Sequence, residues 1–272
     1  MHSSPRPMLR RALFVAAAAL IAFTAAFTTT AAATGSVRYV ALGDSYSSGV
    51  GAGSYLSASG ACLRSTNAYS ALWAAAHSPD AYSSVACSGA ATSDVLNSQV
   101  SALDTGTTLV SITVGGNDVG FSSVMKTCVL DSTSTCLSAV ANAESLTDTV
   151  LPGRLANVFA TIRADAPSAH VVVLDYPELY DLGHSWYCPG LSTSDRSALN
   201  QAADKLDATI QAAAQAAGDT FVDVKGRFSG HELCDFNDWL HSVNLTDLGE
   251  SYHPTATGQS SAYLPAFSSA AP

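Results

Sequence analysis

Charge is scarce in this chain of 272 residues: 12% are charged, and Lys plus Arg number 12 against 22 Asp plus Glu. Without a basic surplus there is nothing to neutralise a phosphate backbone, which excludes an electrostatic nucleic-acid binder. Several chemical signatures are also missing. No C-x-x-C pair occurs, so the six cysteines lack zinc-site spacing, and His231-Glu232-Leu233-Cys234-Asp235 is not the H-E-x-x-H of a zinc protease. There is no G-x-S-x-G elbow, which removes the usual α/β-hydrolase reading. Glycines recur at every second position in GVGAGS (49–54) and no Lys follows, so neither a dinucleotide fingerprint nor a P-loop is present. Disorder is excluded by the opposite kind of evidence, because 47% of the residues are hydrophobic.

One region differs from the rest. Arg6, Arg10 and Arg11 precede an apolar run from Ala12 to about Phe27, and the small residues TTTAAATG follow. That order is the order of a secretory signal peptide, with Ala31 and Ala33 placing cleavage after Ala33. The apolar run falls short of the ~20 residues that cross a bilayer, which argues against an anchor. The Arg10-Arg11 pair leaves both the general and the twin-arginine export routes open. Residues 34–272 then form a single domain, secreted and extracellular, whose net charge moves from −10 to −13 as three arginines leave with the leader. An oxidising compartment makes the cysteines disulfide candidates. Sequential pairing is expected, Cys62–Cys87, Cys128–Cys136 and Cys188–Cys234, since each bridge then ties a local loop to the scaffold.

Short apolar runs alternate with helical periodicity. Strands are predicted over Val37–Leu42, Ser83–Ala86, Thr108–Val114, His170–Leu174 and Thr220–Val224. Helices are predicted over Thr66–Ala76, Ser93–Leu103, Val140–Asp165 (with a kink or break at Pro152-Gly153), Ser194–Ala217, and beyond Pro254. This alternation indicates βαβ units, hence an α/β fold: a three-layer α/β/α sandwich around a five-stranded parallel sheet. Ligands of such sheets sit beyond the carboxyl ends of the strands. Ser45, Gly89 and Asn117 follow the first three predicted strands.

Taken alone, Gly43-Asp44-Ser45 reads as a helix cap and Gly115-Gly116-Asn117-Asp118 as a strand-ending turn. Their order along the chain is more specific: VALGDSYSSG with Ser45, CSGA with Gly89, VGGND with Asn117, and SYHPTATG with His253. The chain resembles the SGNH-hydrolase superfamily of GDSL esterases and lipases over nearly all of residues 34–272, and most of all its secreted actinomycete lipases and phospholipases. The resemblance implies a flavodoxin-like fold and a carboxylic ester hydrolase, with Ser45 as nucleophile and His253 as its general base and later general acid. It also implies an oxyanion hole made by the Ser45 and Gly89 amides and the Asn117 side chain.

The third catalytic member departs from the family, which has Asp three residues before its His; Glu250 stands there in GESYHP. Either Glu250 or the main-chain carbonyl of Ser251 would orient His253. No cofactor or metal is expected, since Asp94, Asp118 and Asp235 are scattered along the chain. The expected partner is a small-molecule or lipid ester, with at most transient contact at a lipid interface and the chain acting as a monomer. Phe121, Met125, Trp186, Tyr187, Trp239 and Leu240 are candidates for an acyl groove, favouring lipid esters. Two alternatives stay open: an acetylesterase or acyltransferase of the same family, and a catalytically idle binding module.

Overall fold

Leu109–Thr113 is buried at every position, and so is Arg38–Gly43 beyond its first residue. A strand with no wet face needs cover on both sides, which is the condition of a parallel sheet between two helical layers. In the computed structural model the strands β1 (Arg38–Gly43), β2 (Ala81–Ser84), β3 (Leu109–Thr113), β4 (His170–Leu174) and β5 (Thr220–Val222) pair in the order β2-β1-β3-β4-β5, all parallel. The structure describes residues 1–2, 36–184, 188 and 190–272; the leader with its cleavage site, and Trp186 and Tyr187, lie outside the described residues. Residues 1–35 and 36–272 separate into two units, and the sheet belongs to the second. No helix among the described residues is long and apolar enough to cross a membrane.

The chain moves one way across the sheet from β1 to β2 and the other way from β3 to β5, so right-handed crossovers place their helices on opposite faces. Helix α1 (Ser45–Ser48) follows β1, and α2 (Tyr69–His77) packs with the C-terminal helix α7 (256–268). The other layer contains α3 (Phe121–Leu130), α4 (Thr133–Thr149), α5 (Leu151–Asp165) and α6 (Thr193–Ala217), packed on one another. Helix α6 starts on a capping box, Ser192 with Asp195, and stops at Gly218 with φ 76°. Ile112, Leu151, Leu155 and Phe159 are fully buried between sheet and helices. Truncating one of them, Ile112→Ala for instance, should cost ~2–5 kcal/mol.

Two expected helices differ from the structure. The predicted Ser93–Leu103 helix is three short turns: a single α-turn at Thr92–Asp94, a π-turn at Val95–Gln99 and a 3-10 turn at Val100–Ala102. Gln99 is buried there, and its amide pairs with both backbone groups of Gly43, accepting at 2.7 Å and donating at 2.9 Å. The predicted Val140–Asp165 helix is two helices, Thr133–Thr149 and Leu151–Asp165: of the kink or break expected at Pro152-Gly153 it has the break, two residues earlier at Val150. Pro152 sits in the first turn of α5, where its missing N–H has no intrahelical partner to lose.

All three sequential disulfides are present: Cys62–Cys87, Cys128–Cys136 and Cys188–Cys234. The sheet order reverses between β1 and β3, which puts a crevice beyond their carboxyl ends.

Candidate active site

Gly43 closes β1 with φ 121°, and a Cβ there would lie 2.4 Å from the Thr113 carbonyl oxygen, so only glycine lets the two strand ends approach. Asp44 comes next and caps α1, its Oδ1 accepting from the Tyr46 amide at 3.0 Å. The same oxygen accepts from the Thr113 hydroxyl at 2.7 Å, and Oδ2 accepts from the Tyr176 hydroxyl. Asp44 is 1% exposed; burial pushes its carboxyl up to about 6, against the opposing pull of these bonds. Burial, then the Asp44 charge, raises the Tyr176 hydroxyl, which keeps it a donor. Asp44 thereby fixes the start of α1 and the residue that opens it, Ser45.

Ser45 Oγ donates to His253 Nε2 at 2.7 Å, joining residues 208 apart in sequence. The other ring nitrogen, Nδ1, lies 3.0 Å from the Ser251 carbonyl oxygen. A carbonyl only accepts, so Nδ1 carries the proton and Nε2 is left free to accept from the serine. Burial holds the His253 imidazole down to about 4, so the neutral ring prevails at ordinary pH. The loop bearing it is fastened through its backbone. His241 N–H donates to the His253 carbonyl at 2.9 Å, Tyr252 N–H to the His241 carbonyl at 2.8 Å, and the Tyr46 hydroxyl to the Tyr252 carbonyl at 2.7 Å.

Glu250 does not take the place of the family's aspartate in this geometry. Its Oε1 accepts from the Tyr55 hydroxyl at 2.6 Å and its Oε2 from the Asn244 amide at 3.3 Å. The extra methylene carries the carboxylate to these partners, and the Ser251 carbonyl occupies the position beside the ring. Of the two alternatives, the contact to His253 is made by the carbonyl. Tyr55 also accepts from the Gly51 amide at 2.8 Å, and the His241 ring bonds the Gly51 carbonyl at 2.7 Å, so Glu250 ties the histidine loop to the segment after α1.

The remaining expected residues converge on the same end of the sheet. The Cys87 amide donates to the Gly43 carbonyl at 3.0 Å, and the Ser88 amide donates to the Cys62 carbonyl at 3.1 Å beside the Cys62–Cys87 bridge. Gly89 follows with φ 78°, in the left-handed region that favours glycine. Asn117, in the turn after β3, donates one amide hydrogen to the Ala90 carbonyl at 3.0 Å and keeps a second. Other histidines are engaged elsewhere: His77 and His231 stack on Trp73 and Trp239, and His170 bonds the Ala270 carbonyl.

Beside Ser45 opens a cleft. Ser45, Asn117 and Tyr176 lie among its lining residues, and its walls come from α3, α4 and α6 through Phe121, Val124, Ala143, Leu199, Ala202 and Leu206. Of the groove residues expected from sequence, Phe121 lines this cleft. Met125 is buried, Leu240 bridges Pro254, and Trp239 stacks on His231. Ala143 and Ala202 could not have been picked out, because an alanine facing a cavity and one facing a neighbouring helix have the same periodicity. Among the described residues, Asp181, His184 and Asp235 bring possible metal-ligating atoms within 4.8 Å of one another, and they share no bond with Ser45 or His253.

A parallel sheet ordered 2-1-3-4-5 with a serine and histidine paired at its switch point defines an SGNH-type hydrolase scaffold, and residues 41–260 match the GDSL-like Lipase/Acylhydrolase family. The chain belongs to that family. It is 57% identical to Lipase 1 of Streptomyces coelicolor over 86% of each chain. Among solved structures, a phospholipase A1 from Streptomyces albidoflavus is 53% identical with a TM-score of 0.85, covering 87% of this chain and all of that one. An extracellular lipase from Streptomyces rimosus is 52% identical with a TM-score of 0.84, covering 86% of this chain and 99% of its own.

Proposed function

We propose that this protein is a secreted serine hydrolase that cleaves carboxylic ester bonds of lipids through an acyl-enzyme on Ser45. The observation that carries this reading is the 2.7 Å bond between Ser45 Oγ and a neutral His253, beside a cleft walled mainly by apolar side chains. His253 Nε2 accepts the hydroxyl proton as Ser45 Oγ attacks the ester carbonyl carbon. Charge developing on the carbonyl oxygen is met by the Ser45 and Gly89 amides and the Asn117 side chain. The tetrahedral intermediate collapses, the alcohol leaves with the proton from His253, and the acyl group stays on Oγ. Water then enters, gives its proton to His253, and attacks the acyl carbon; collapse returns the proton to Ser45 and releases the fatty acid. The imidazolium is supported by the Ser251 carbonyl, so the catalytic unit is a Ser–His dyad with a backbone acceptor.

The apolar lining of the cleft, Phe121, Val124, Leu199 and Leu206 among it, suits an acyl chain better than a polar acyl group. Names of relatives support the same class: lipase in two species of Streptomyces and phospholipase A1 in a third. Export follows from the leader ending at Ala33, and three disulfides suit an oxidising compartment. Contact with a lipid interface would be apolar and transient. Leu245, Leu248 and Leu56 are 86%, 68% and 49% exposed, and no Lys or Arg follows Arg227 in the sequence. The chain is expected to act as a monomer.

A fluorophosphonate probe should label the protein and fail to label Ser45→Ala; labelling that survives the substitution sinks the nucleophile. A panel of p-nitrophenyl esters from acetyl to palmitoyl, run with a phospholipid and a triglyceride, then reads the substrate class. Preference for acetyl over every longer chain would favour the acetylesterase alternative.

A further inference from the structure

Asp118 follows the Asn117 donor, and no step of the reaction above uses it. Its side chain is 1% exposed, yet it makes three hydrogen bonds to two other segments. Oδ2 accepts from the Thr92 amide at 2.9 Å, while Oδ1 accepts from the Thr92 hydroxyl at 2.6 Å and from the Arg154 guanidinium at 3.0 Å. Thr92 lies three residues beyond Gly89. One buried carboxylate therefore spans the turns that carry the two oxyanion donors outside α1, and the Asn117 to Ala90 bond runs beside it. Asp94 accepts from the neighbouring Ala91 amide at 2.9 Å, so the Thr92 amide and hydroxyl are the groups of this turn that Asp118 holds. Arg154, on α5 and half-exposed, supplies the opposite charge without which a buried carboxylate would be costly.

We propose that Asp118 is a positioning residue. It holds the Gly89–Thr92 turn against Asn117 so that the Gly89 amide and the Asn117 side chain converge on one oxygen, with Arg154 steadying the carboxylate from outside. The inference rests on the reading of Gly89 and Asn117 as oxyanion donors. Donors misplaced by 1 Å can cost ~10²-fold in rate, although nothing that binds the ground state has changed. The effect should therefore fall on kcat and leave KM alone.

The test is steady-state kinetics on a soluble short-chain p-nitrophenyl ester, with thermal melts, for Asp118→Asn, Thr92→Val and Thr92→Ser. Asp118→Asn is also made in an Asn117→Ala background. In the otherwise native enzyme, Asp118→Asn is expected to lower kcat by roughly 10–10²-fold, with KM within about twofold. Thr92→Val should lose part of this and Thr92→Ser, which retains the hydroxyl, should recover it. Once Asn117 is gone, Asp118→Asn should cost no more than about threefold, because one donor it positions is absent. Undiminished kcat in Asp118→Asn, or equal losses in both backgrounds, overturns the proposal. Should Asp118→Asn not fold, the contrast between Thr92→Val and Thr92→Ser decides in the same way, because only the hydroxyl bond is removed. Normal kcat in Asn117→Ala alone would instead overturn the donor assignment, which separates the two failures.

Discussion

The two halves of the proposed catalytic pair, Ser45 and His253, are held by different means. Ser45 is fixed by side chains: Asp44 is bonded to Thr113 and Tyr176, and Ser47 to Thr113 and Tyr69, all of them buried. His253 is fixed mostly through backbone: the Ser251 carbonyl orients its ring, main-chain bonds to His241 and Trp239 hold the loop around it, and the Tyr46 hydroxyl and the Glu250 side chain add ties from outside. A support made of side chains can be removed one substitution at a time, whereas carbonyls survive most substitutions. The serine end should therefore be the more brittle and the histidine end, His253 itself apart, the more tolerant.

The sharpest break is removal of either reacting group. Ser45→Ala and His253→Ala should each reduce kcat by as much as ~10⁶-fold while circular dichroism and melting remain near native, since neither side chain carries the fold. Next in size is Asp44→Ala, which removes the cap of α1 and leaves the Tyr176 and Thr113 hydroxyls short of an acceptor. It should destabilise by roughly 2–4 kcal/mol, seen as a lower Tm, and reduce kcat as well. The counterpart at the histidine end is milder: Glu250→Gln, which still accepts from Tyr55, should lose less than about tenfold in kcat, against the ~10⁴-fold typical when a triad carboxylate is neutralised. A loss of several thousandfold would restore Glu250 as the third catalytic member.

Acidity tests the same contrast more gently. His253 works as the neutral ring and its folded-state pKa is held down to about 4, so kcat/KM on a soluble ester should keep its plateau below 6.5 and fall only towards pH 4. An acid limb centred on 6.5 would show that the ring is not shielded. The smallest effect concerns a buried acid pair at the end of β4. Burial pushes Asp175 up to about 7 and Asp207 higher than the usual carboxylate range, and Asp207 Oδ2 has no hydrogen-bond partner among the described residues. Between the ordinary value of 3.8 and these raised ones, only the unfolded chain ionises, so their stability contribution is present at low pH and lost as pH rises. Asp207→Asn should flatten that fall and raise Tm at pH 8 by about 2–4 °C, the shift expected of roughly 1 kcal/mol in a domain of this size.

Legibility in the sequence followed the same division. Ser45, Gly89, Asn117 and His253 each stand in a short block, so their order along the chain exposes them. Strand positions were readable for β3 and β4 because both are continuous apolar runs. For the acceptor of His253 the sequence leaves two alternatives, Glu250 and the Ser251 carbonyl, since a carbonyl belongs to every residue and only the turn at Leu248–Glu250 decides which group faces the ring. The segment after Thr92 misled for a related reason. Its apolar spacing suits a helix, but Gln99 bonds to Gly43 on β1, and that tertiary demand coincides with a break into π- and 3-10 turns. The cleft stayed hidden because Ala143 and Ala202 are small residues on helices, indistinguishable in sequence from close packing. Asp118 looked like one scattered acid, because Thr92 and Arg154, its partners, are 26 and 36 residues away.

The 208-residue span between Ser45 and His253 also has a consequence in time. Chains are synthesised at about 5–20 residues per second, so the nucleophile emerges roughly 10–40 s before its base. Throughout that interval Ser45 is an ordinary alcohol, because nothing is present to take its proton. Ester cleavage is therefore a property of the nearly finished polypeptide, acquired only when the segment after the last strand has brought His253 to the residue that follows the first. A hydrolase built in this order is thus inert towards esters for most of its making.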